Sequence, residues 1–183
     1  MDASSKVVYL TFDDGPIPEC TPQVLDILAR YQVKATFFMV AENAAHYPEL
    51  AARVRAEGHT VGNHTCHHMR GHHSSRQDYV ADALQGEQIL QTQLFRPPHG
   101  RMRYSQKKAM LDAGYTIYLW DVLTHDYNPH YSAEKIMSVV KRYTRNGSII
   151  VMHDSLKSKD RMLEALPKVI EWLNSQGYEL RPL

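Results

Sequence analysis

Short apolar runs alternate with longer amphipathic stretches along most of the chain, and this alternation limits the available folds more than any other feature. Seven runs are rich in β-branched and aromatic residues and have the length of buried strands, namely residues 7–12, 35–40, 60–64, 94–96, 115–120, 148–152 and 178–180. Strands separated by helices are typical of a parallel sheet. About seven of them predict a distorted (β/α) barrel.

The stretches between these runs carry apolar residues at three- to four-residue spacing, which predicts helices. They cover residues 22–31, 48–57, 75–91, 105–112, 133–143 and 161–175. Thr21 precedes the first helix, and Gly58, Gly114 and Gly177 follow others, as helix start and stop signals do. No repeat or break in composition divides the 183 residues, so a single domain over residues 1–183 is predicted.

Charge and hydropathy argue against nucleic-acid binding and against a membrane-spanning helix. The formal net charge is +1 and no basic stripe interleaves with aromatic residues, so nucleic acid is not expected to bind. No apolar run approaches the ~18 residues of a membrane-spanning helix. Residues 1–6 contain no apolar segment of the kind found in signal peptides.

Two adjacent aspartates follow the first predicted strand, within residues 11–15 (TFDDG). Side chains alternate between the faces of a strand, so Asp13 and Asp14 reach one site only where the strand ends and Gly15-Pro16 turns the chain. Taken alone, the tripeptide Asp13-Asp14-Gly15 is typical of a solvated turn. Its position directly after an apolar run is what makes it informative.

Residues 64–68 (HTCHH) follow the third predicted strand. One aspartate and two histidines supply three ligands for a divalent metal and leave positions open for water and substrate, as catalytic sites do. A bound cation polarises a carbonyl, but a base must still accept a proton, which a ligated carboxylate does poorly. The second aspartate supplies that base. The combination indicates a metal-dependent hydrolase.

Three further motifs follow at or near later strands: residues 96–100 (RPPHG), 126–127 (DY) and 150–153 (IVMH). With these five motifs in order, the chain from about Val7 to its C-terminus resembles the polysaccharide deacetylases that share the NodB homology domain, also called carbohydrate esterase family 4. The resemblance implies an irregular (β/α) barrel and removal of acetyl groups from a glycan.

The resemblance also implies roles for the first three motifs. Asp14, His64 and His68 would hold one divalent ion, most often zinc, although cobalt, nickel and manganese suit the same ligands. Asp13 would be the base that takes a proton from the attacking water. Arg96 would orient this base and favour its charged form.

The same resemblance makes His153 the general acid, since its unperturbed pKa lies near neutrality, and makes Asp126 the carboxylate that orients it and raises its pKa. The backbone N–H of His99 would stabilise the oxyanion, and Tyr127 would line the substrate pocket. Ile150 either contacts the acetyl methyl group or belongs to the core.

Other interpretations of these residues stay open at this point. Arg96 and Asp126 could form a structural ion pair, and His153 could be a turn histidine. The remaining loop histidines are expected in solvated loops rather than in a second metal site; they are His67, His72, His73, His125 and His130. Two positions also depart from the family pattern. Leu123–Tyr127 lacks an early aspartate and has tyrosine in place of tryptophan, and His99 stands where tyrosine is common.

The leading hypothesis is therefore hydrolysis of the acetamide of N-acetylglucosamine residues in chitin oligomers, peptidoglycan or a similar glycan. The alternatives are an O-deacetylase of acetylated xylan and a non-catalytic carbohydrate-binding relative. Because glycan deacetylases usually meet their substrates outside the cytoplasm, we expect the protein to be secreted or in the cell envelope.

Overall fold

A computed structural model describes residues 6–183, so residues 1–5 of the predicted domain lie outside the described residues. Eight strands form one sheet in the order β5-β4-β3-β2-β1-β7-β6, and β8 pairs with β1. The strands are β1 Lys6–Asp13, β2 Thr36–Met39, β3 Thr60–Asn63, β4 Leu94–Phe95, β5 Thr116–Ile117, β6 Val122–Leu123, β7 Ile149–His153 and β8 Tyr178–Arg181.

Seven helices connect and cover the strands: α1 Thr21–Arg30, α2 Ala41–His46, α3 Pro48–Ala56, α4 Arg76–Leu90, α5 Tyr104–Asp112, α6 Ala133–Tyr143 and α7 Lys159–Ser175. Each described strand pairing is parallel. Within residues 6–183 no pairing joins β5 to β6, so the sheet forms a half-barrel. The predicted fold class, a distorted (β/α) barrel, is confirmed in this open form. None of the helices over these residues has the length and apolarity required to span a membrane.

Two elements, β6 and α2, were not predicted. The apolar run over residues 115–120 contains only the two-residue β5, and β6, which is equally short, follows this run. Two residues are too few to display an alternating pattern. The helix α2 has six residues, of which only two are buried, so it lacks an apolar stripe.

The strand β1 lies at the centre of the sheet and separates two environments. Val8, Leu10 and Phe12 have no exposed surface and belong to the main core, which the helices α1, α6 and α7 complete. Side chains alternate along a strand, so Thr11 and Asp13 point to the opposite face. The sheet therefore directs an aspartate toward the inside of the half-barrel at the carboxyl end of β1.

Leu10 gives a direct test of this core. We expect Leu10→Ala to lower the free energy of unfolding by about 3 kcal/mol, because it removes a fully buried side chain and leaves a cavity. Leu111→Ala is the matched control, since Leu111 on α5 is 50% exposed; its effect should stay within about 0.5 kcal/mol. Chemical denaturation measures both. Equal effects would contradict this description of the core.

Candidate active site

The carboxyl ends of the strands bring the predicted functional residues to one edge of the sheet. Asp13 ends β1 and His153 ends β7, while His64 and Arg96 directly follow β3 and β4. Asp126 follows the unpredicted β6. In parallel α/β barrels this edge carries the chemistry.

An open cleft of about 970 Å³ lies at this edge. Most of the predicted site residues line it: Asp13, Asp14, His64, His68, His99, Tyr127 and His153. Arg96 and Asp126 are fully buried behind the wall of the cleft, where Arg96 contacts Asp13 and Asp126 contacts His153. Further lining residues come from the segment between β5 and β6, the end of β6 and the loop after β7, including Trp120, Leu123, Ser155 and Lys157.

Asp14, His64 and His68 present ligand atoms that lie within 4.8 Å of one another. Asp14 Oδ1 is 3.2 Å from His68 Nε2 and 3.8 Å from His64 Nε2. Atoms that bind one tetrahedral ion at about 2.0–2.2 Å lie roughly 3.3 Å apart. Within residues 6–183 no other group of three histidine, cysteine or acidic side chains has such spacing.

The protonation of these residues also suits a metal. His64 Nδ1 donates a hydrogen bond to the carbonyl of Arg96 at 2.8 Å, which leaves Nε2 free as a ligand. Burial lowers the pKa of His64 to about 4, so its ring is neutral at pH 7. Burial alone would raise the pKa of Asp14, but the hydrogen bond from His68 and the nearby imidazoles bring it below its ordinary value. The donor set therefore fits a divalent cation such as zinc.

Asp13 lies beside this triad and is held by a buried arginine. Its Oδ1 accepts a hydrogen bond from Arg96 Nη1 at 2.7 Å, and its Oδ2 lies 3.9 Å from His64 Nε2. The Arg96 guanidinium also packs 4.0 Å from the centre of the Phe38 ring. Arg96 pairs with Asp13 rather than with Asp126, so the alternative of a structural Arg96–Asp126 ion pair is wrong.

His153 faces the triad with a buried carboxylate behind it. Asp126 Oδ1 lies 2.7 Å from His153 Nδ1, and Asp126 Oδ2 accepts the His153 backbone N–H at 2.7 Å. Burial lowers the pKa of His153, but the hydrogen bond and charge of Asp126, together with Asp13 and Asp14, outweigh it and raise the pKa to about 9. The ring is therefore protonated at pH 7. Tyr127 packs edge-on against it, with centroids 5.1 Å apart.

His99 borders the cleft on the other side of the triad. Its φ of 58° is a left-handed conformation, and its ring packs 5.0 Å from the ring of His68. Its Nε2 accepts a hydrogen bond from Arg70 Nε at 3.2 Å. None of the backbone hydrogen bonds described for residues 6–183 uses the His99 N–H.

Ile150 does not belong to the site. It is fully buried in the main core opposite Leu10 of β1, and it is not among the residues that line the cleft. The prediction that it contacts the acetyl methyl group is therefore corrected in favour of the core. The apolar part of the cleft wall consists instead of side chains such as Leu119, Trp120 and Leu123.

Asp82 of α4 is a site residue that the motifs did not indicate. Its Oδ2 accepts the backbone N–H groups of Cys66 and His67 at 3.0 and 3.1 Å, and its Oδ1 pairs with His67 Nδ1. This carboxylate holds the segment between His64 and His68, where Thr65 and His68 both have positive φ. The sequence signal was an acidic residue on the apolar face of a predicted helix.

The other loop histidines do not form a second metal site within residues 6–183. His72, His73 and His130 are exposed, and His125 packs against the Tyr127 and Tyr131 rings. His67 is 48% exposed, as expected for a solvated loop, and its ring is also paired with Asp82.

Comparison with known proteins agrees with this geometry. The sequence profile described as polysaccharide deacetylase matches residues 1–118. The peptidoglycan-N-acetylglucosamine deacetylase of Bacillus cereus is 36% identical over 183 residues, covering 96% of this chain and 85% of that protein. A chitooligosaccharide deacetylase of Bradyrhizobium sp. is 34% identical over 199 residues, covering 99% and 90%.

Solved structures agree as well. The crystal structure of a peptidoglycan N-acetylglucosamine deacetylase in complex with an N-hydroxybenzamide derivative superposes with a TM-score of 0.94 at 33% sequence identity. The match covers 98% of this chain and 87% of that chain.

The role of Asp82 predicts a loss of metal affinity. Because Asp82→Asn removes the charge that orients the segment 64–68, we expect about tenfold weaker binding of Zn²⁺, measured by isothermal titration calorimetry. Asp78→Asn is the matched control, since Asp78 lies on the same helix but is exposed and bonded to Ser75. Unchanged affinity in Asp82→Asn would show that the segment holds its shape without the carboxylate.

Proposed function

The chain belongs to the polysaccharide deacetylase family, and we propose that it hydrolyses the acetamide of N-acetylglucosamine residues in a glycan to acetate and a free amine. One observation carries this proposal. A triad suited to a divalent metal lies in one cleft with a carboxylate on one side and a protonated imidazole on the other. Metal-dependent hydrolysis of an amide uses these three elements: a cation that polarises the carbonyl, a base for the attacking water and an acid for the leaving nitrogen.

Asp14, His64 and His68 would hold the ion, for which zinc is the best match. When bound, such an ion supplies Lewis-acid polarisation of the acetyl carbonyl. Of the two adjacent aspartates, Asp14 contacts the histidines and Asp13 contacts Arg96. This division leaves Asp13 as the carboxylate that is free to act as a base.

Asp13 accepts a proton from the water that attacks the acetyl carbon. Arg96 fixes one carboxylate oxygen, so the other is directed toward the triad. The backbone N–H of His99 donates a hydrogen bond to the carbonyl oxygen as negative charge develops there.

His153 donates its proton to the amide nitrogen as the C–N bond breaks. The immediate products are acetic acid and a neutral amine, and the proton taken by Asp13 returns His153 to its protonated form. Acetic acid then ionises to acetate, and its proton passes to the released amine or to water. An amine anion is a far poorer leaving group than an alkoxide, so a strongly held acid favours amide over ester hydrolysis. This argues against the O-deacetylase alternative, and the presence of both base and acid argues against a purely binding protein.

The same function bears on localisation. The relatives are named for peptidoglycan and chitooligosaccharides. We propose that this chain meets a glycan of that kind outside the cytoplasm.

Asp13→Asn tests the base. Acetate release from N-acetylated chitooligosaccharides and peptidoglycan fragments should fall by about 10²–10⁴-fold, because the asparagine side chain cannot accept the proton from water. Zinc should still bind, since Asp13 is not a ligand. Asp14→Asn is the paired variant and should lose both zinc and activity. Acetylated xylan serves as the ester substrate; release from xylan alone would overturn the proposed amide specificity.

Asp126→Asn tests the acid through the pH dependence of kcat/KM. A general acid works only while it is protonated, so a pKa of about 9 for His153 extends activity to alkaline pH. Loss of the neighbouring charge lowers this pKa, and the alkaline limb of the profile should move toward neutral pH by about one unit or more. An unmoved limb in Asp126→Asn would exclude His153 as the group that titrates there.

A further inference from the structure

A second pocket opens beside the catalytic cleft. It has a volume of about 370 Å³ and shares His99 and Arg101 with the cleft, so the two are continuous. Its lining is basic and contains no acidic side chain; the residues are Arg70, Gly71, His72, His73, Pro98, His99 and Arg101. We refer to it as the basic pocket.

The two arginines of the basic pocket carry uncompensated charge. Within residues 6–183 the arginines that form ion pairs are Arg53, Arg96, Arg145 and Arg181. Arg70 uses its Nε to bond His99 Nε2, and neither of its terminal nitrogens has a hydrogen bond among these residues. These nitrogens are therefore available to a ligand at the edge of the cleft.

The loop that carries this pocket is held in place by a buried side chain. Gln106, which has no exposed surface, donates hydrogen bonds from Nε2 to the carbonyl oxygens of Gly71, Ser74 and Ser75 at 2.8, 3.2 and 3.3 Å. Arg103 Nη2 donates to the carbonyl of His72 at 2.8 Å. A Cβ atom on Gly71 would lie 2.8 Å from Gln106 Oε1 and from Met102 Cα. The pocket is thus a built feature of the fold.

We propose that the basic pocket binds a carboxylate carried by the sugar next to the acetylated one, so that the preferred substrate is an anionic glycan. A muramic acid residue that carries no stem peptide provides such a group on its lactyl ether, since a stem peptide converts this carboxylate to a neutral amide, whereas a chitin oligomer is neutral throughout. Guanidinium groups match a carboxylate with paired hydrogen bonds, which give both affinity and orientation. This inference rests on the proposed N-deacetylase function and specifies its substrate class.

The test uses two forms of one substrate, an alternating N-acetylglucosamine and N-acetylmuramic acid tetrasaccharide with its lactyl carboxylates free or amidated. The zinc-loaded protein should have a kcat/KM about tenfold higher on the free acid, the effect of one charge-assisted contact. Because surface charges are screened, this ratio should fall as salt is raised.

Arg70→Gln and Arg101→Gln should each reduce the ratio of the two kcat/KM values severalfold, whatever they do to either rate alone. Arg30→Gln is the matched control, since it removes an exposed arginine from α1 and should leave the ratio unchanged. A parent ratio near one, or equal ratios in all variants, would overturn the basic pocket as a carboxylate site.

The failure of this inference can be told apart from the failure of the proposed function. Acetate release from both substrate forms at equal rates would retain N-deacetylation and reject the carboxylate site. If neither form released acetate, calorimetric binding of the deacetylated tetrasaccharide, free and amidated, would still test the pocket. Tighter binding of the free acid that is lost in Arg101→Gln supports the site, and equal binding rejects it.

Discussion

The buried guanidinium of Arg96 is the interaction on which the site depends. It has no exposed surface, and a buried charge is tolerated only when hydrogen bonds and an opposite charge replace water. Its Nη1 donates hydrogen bonds to Asp13 Oδ1 and to the Thr11 hydroxyl, both at 2.7 Å. Its Nε and Nη2 donate to the carbonyl oxygens of Tyr118 and Leu119. Its own carbonyl orients the ring of His64. One residue after β4 thus fixes the end of β1, the first metal-ligand histidine and the chain between β5 and β6.

Asp13 and His153, the groups that we propose as base and acid, have partners of opposite charge. Asp13 is held by a permanent cation, and His153 is held by the buried carboxylate of Asp126. Despite the burial of His153, the hydrogen bond and charge of Asp126 raise the pKa of this histidine, and the Arg96 guanidinium fixes the position of the Asp13 carboxylate. The metal-ligand triad lies between them, so water and amide can be activated from two sides. Pairs of groups in contrasting environments are a general sign of acid–base chemistry.

The sequence allowed the fold class and the grouping of Asp14, His64 and His68 to be predicted, and it brought the proposed base and acid to the same cleft, because each depends on a short motif at the end of a buried strand. Residues 11–15 and 64–68 combine apolar periodicity with ligand chemistry, and both signals are local. Asp82 and β6 were not predicted because each is defined by contacts with residues that are distant in the sequence. Asp82 accepts hydrogen bonds from the backbone N–H groups of Cys66 and His67, which precede it in the sequence by 16 and 15 positions. For Ile150 the family resemblance suggested a contact with the acetyl methyl group. Side chains alternate along a strand, so Ile150, three residues before His153, lies on the opposite face of β7 and belongs to the core.

The departures from the family pattern acquire a physical meaning in this geometry. Leu123 and Tyr127 stand in the segment where many relatives have an aspartate and a tryptophan, and here Leu123 and Tyr127 both line the cleft. That wall offers one hydroxyl and no charge to a sugar. His99, in place of the common tyrosine, accepts a hydrogen bond from Arg70 and so connects the oxyanion position to the basic pocket. If the basic pocket binds a carboxylate as proposed, charge recognition lies at the loop before α4 and at Arg101 rather than at the wall after β6. A glycan that exploits this arrangement must carry its distinguishing charge on the side of His99, away from the acid His153.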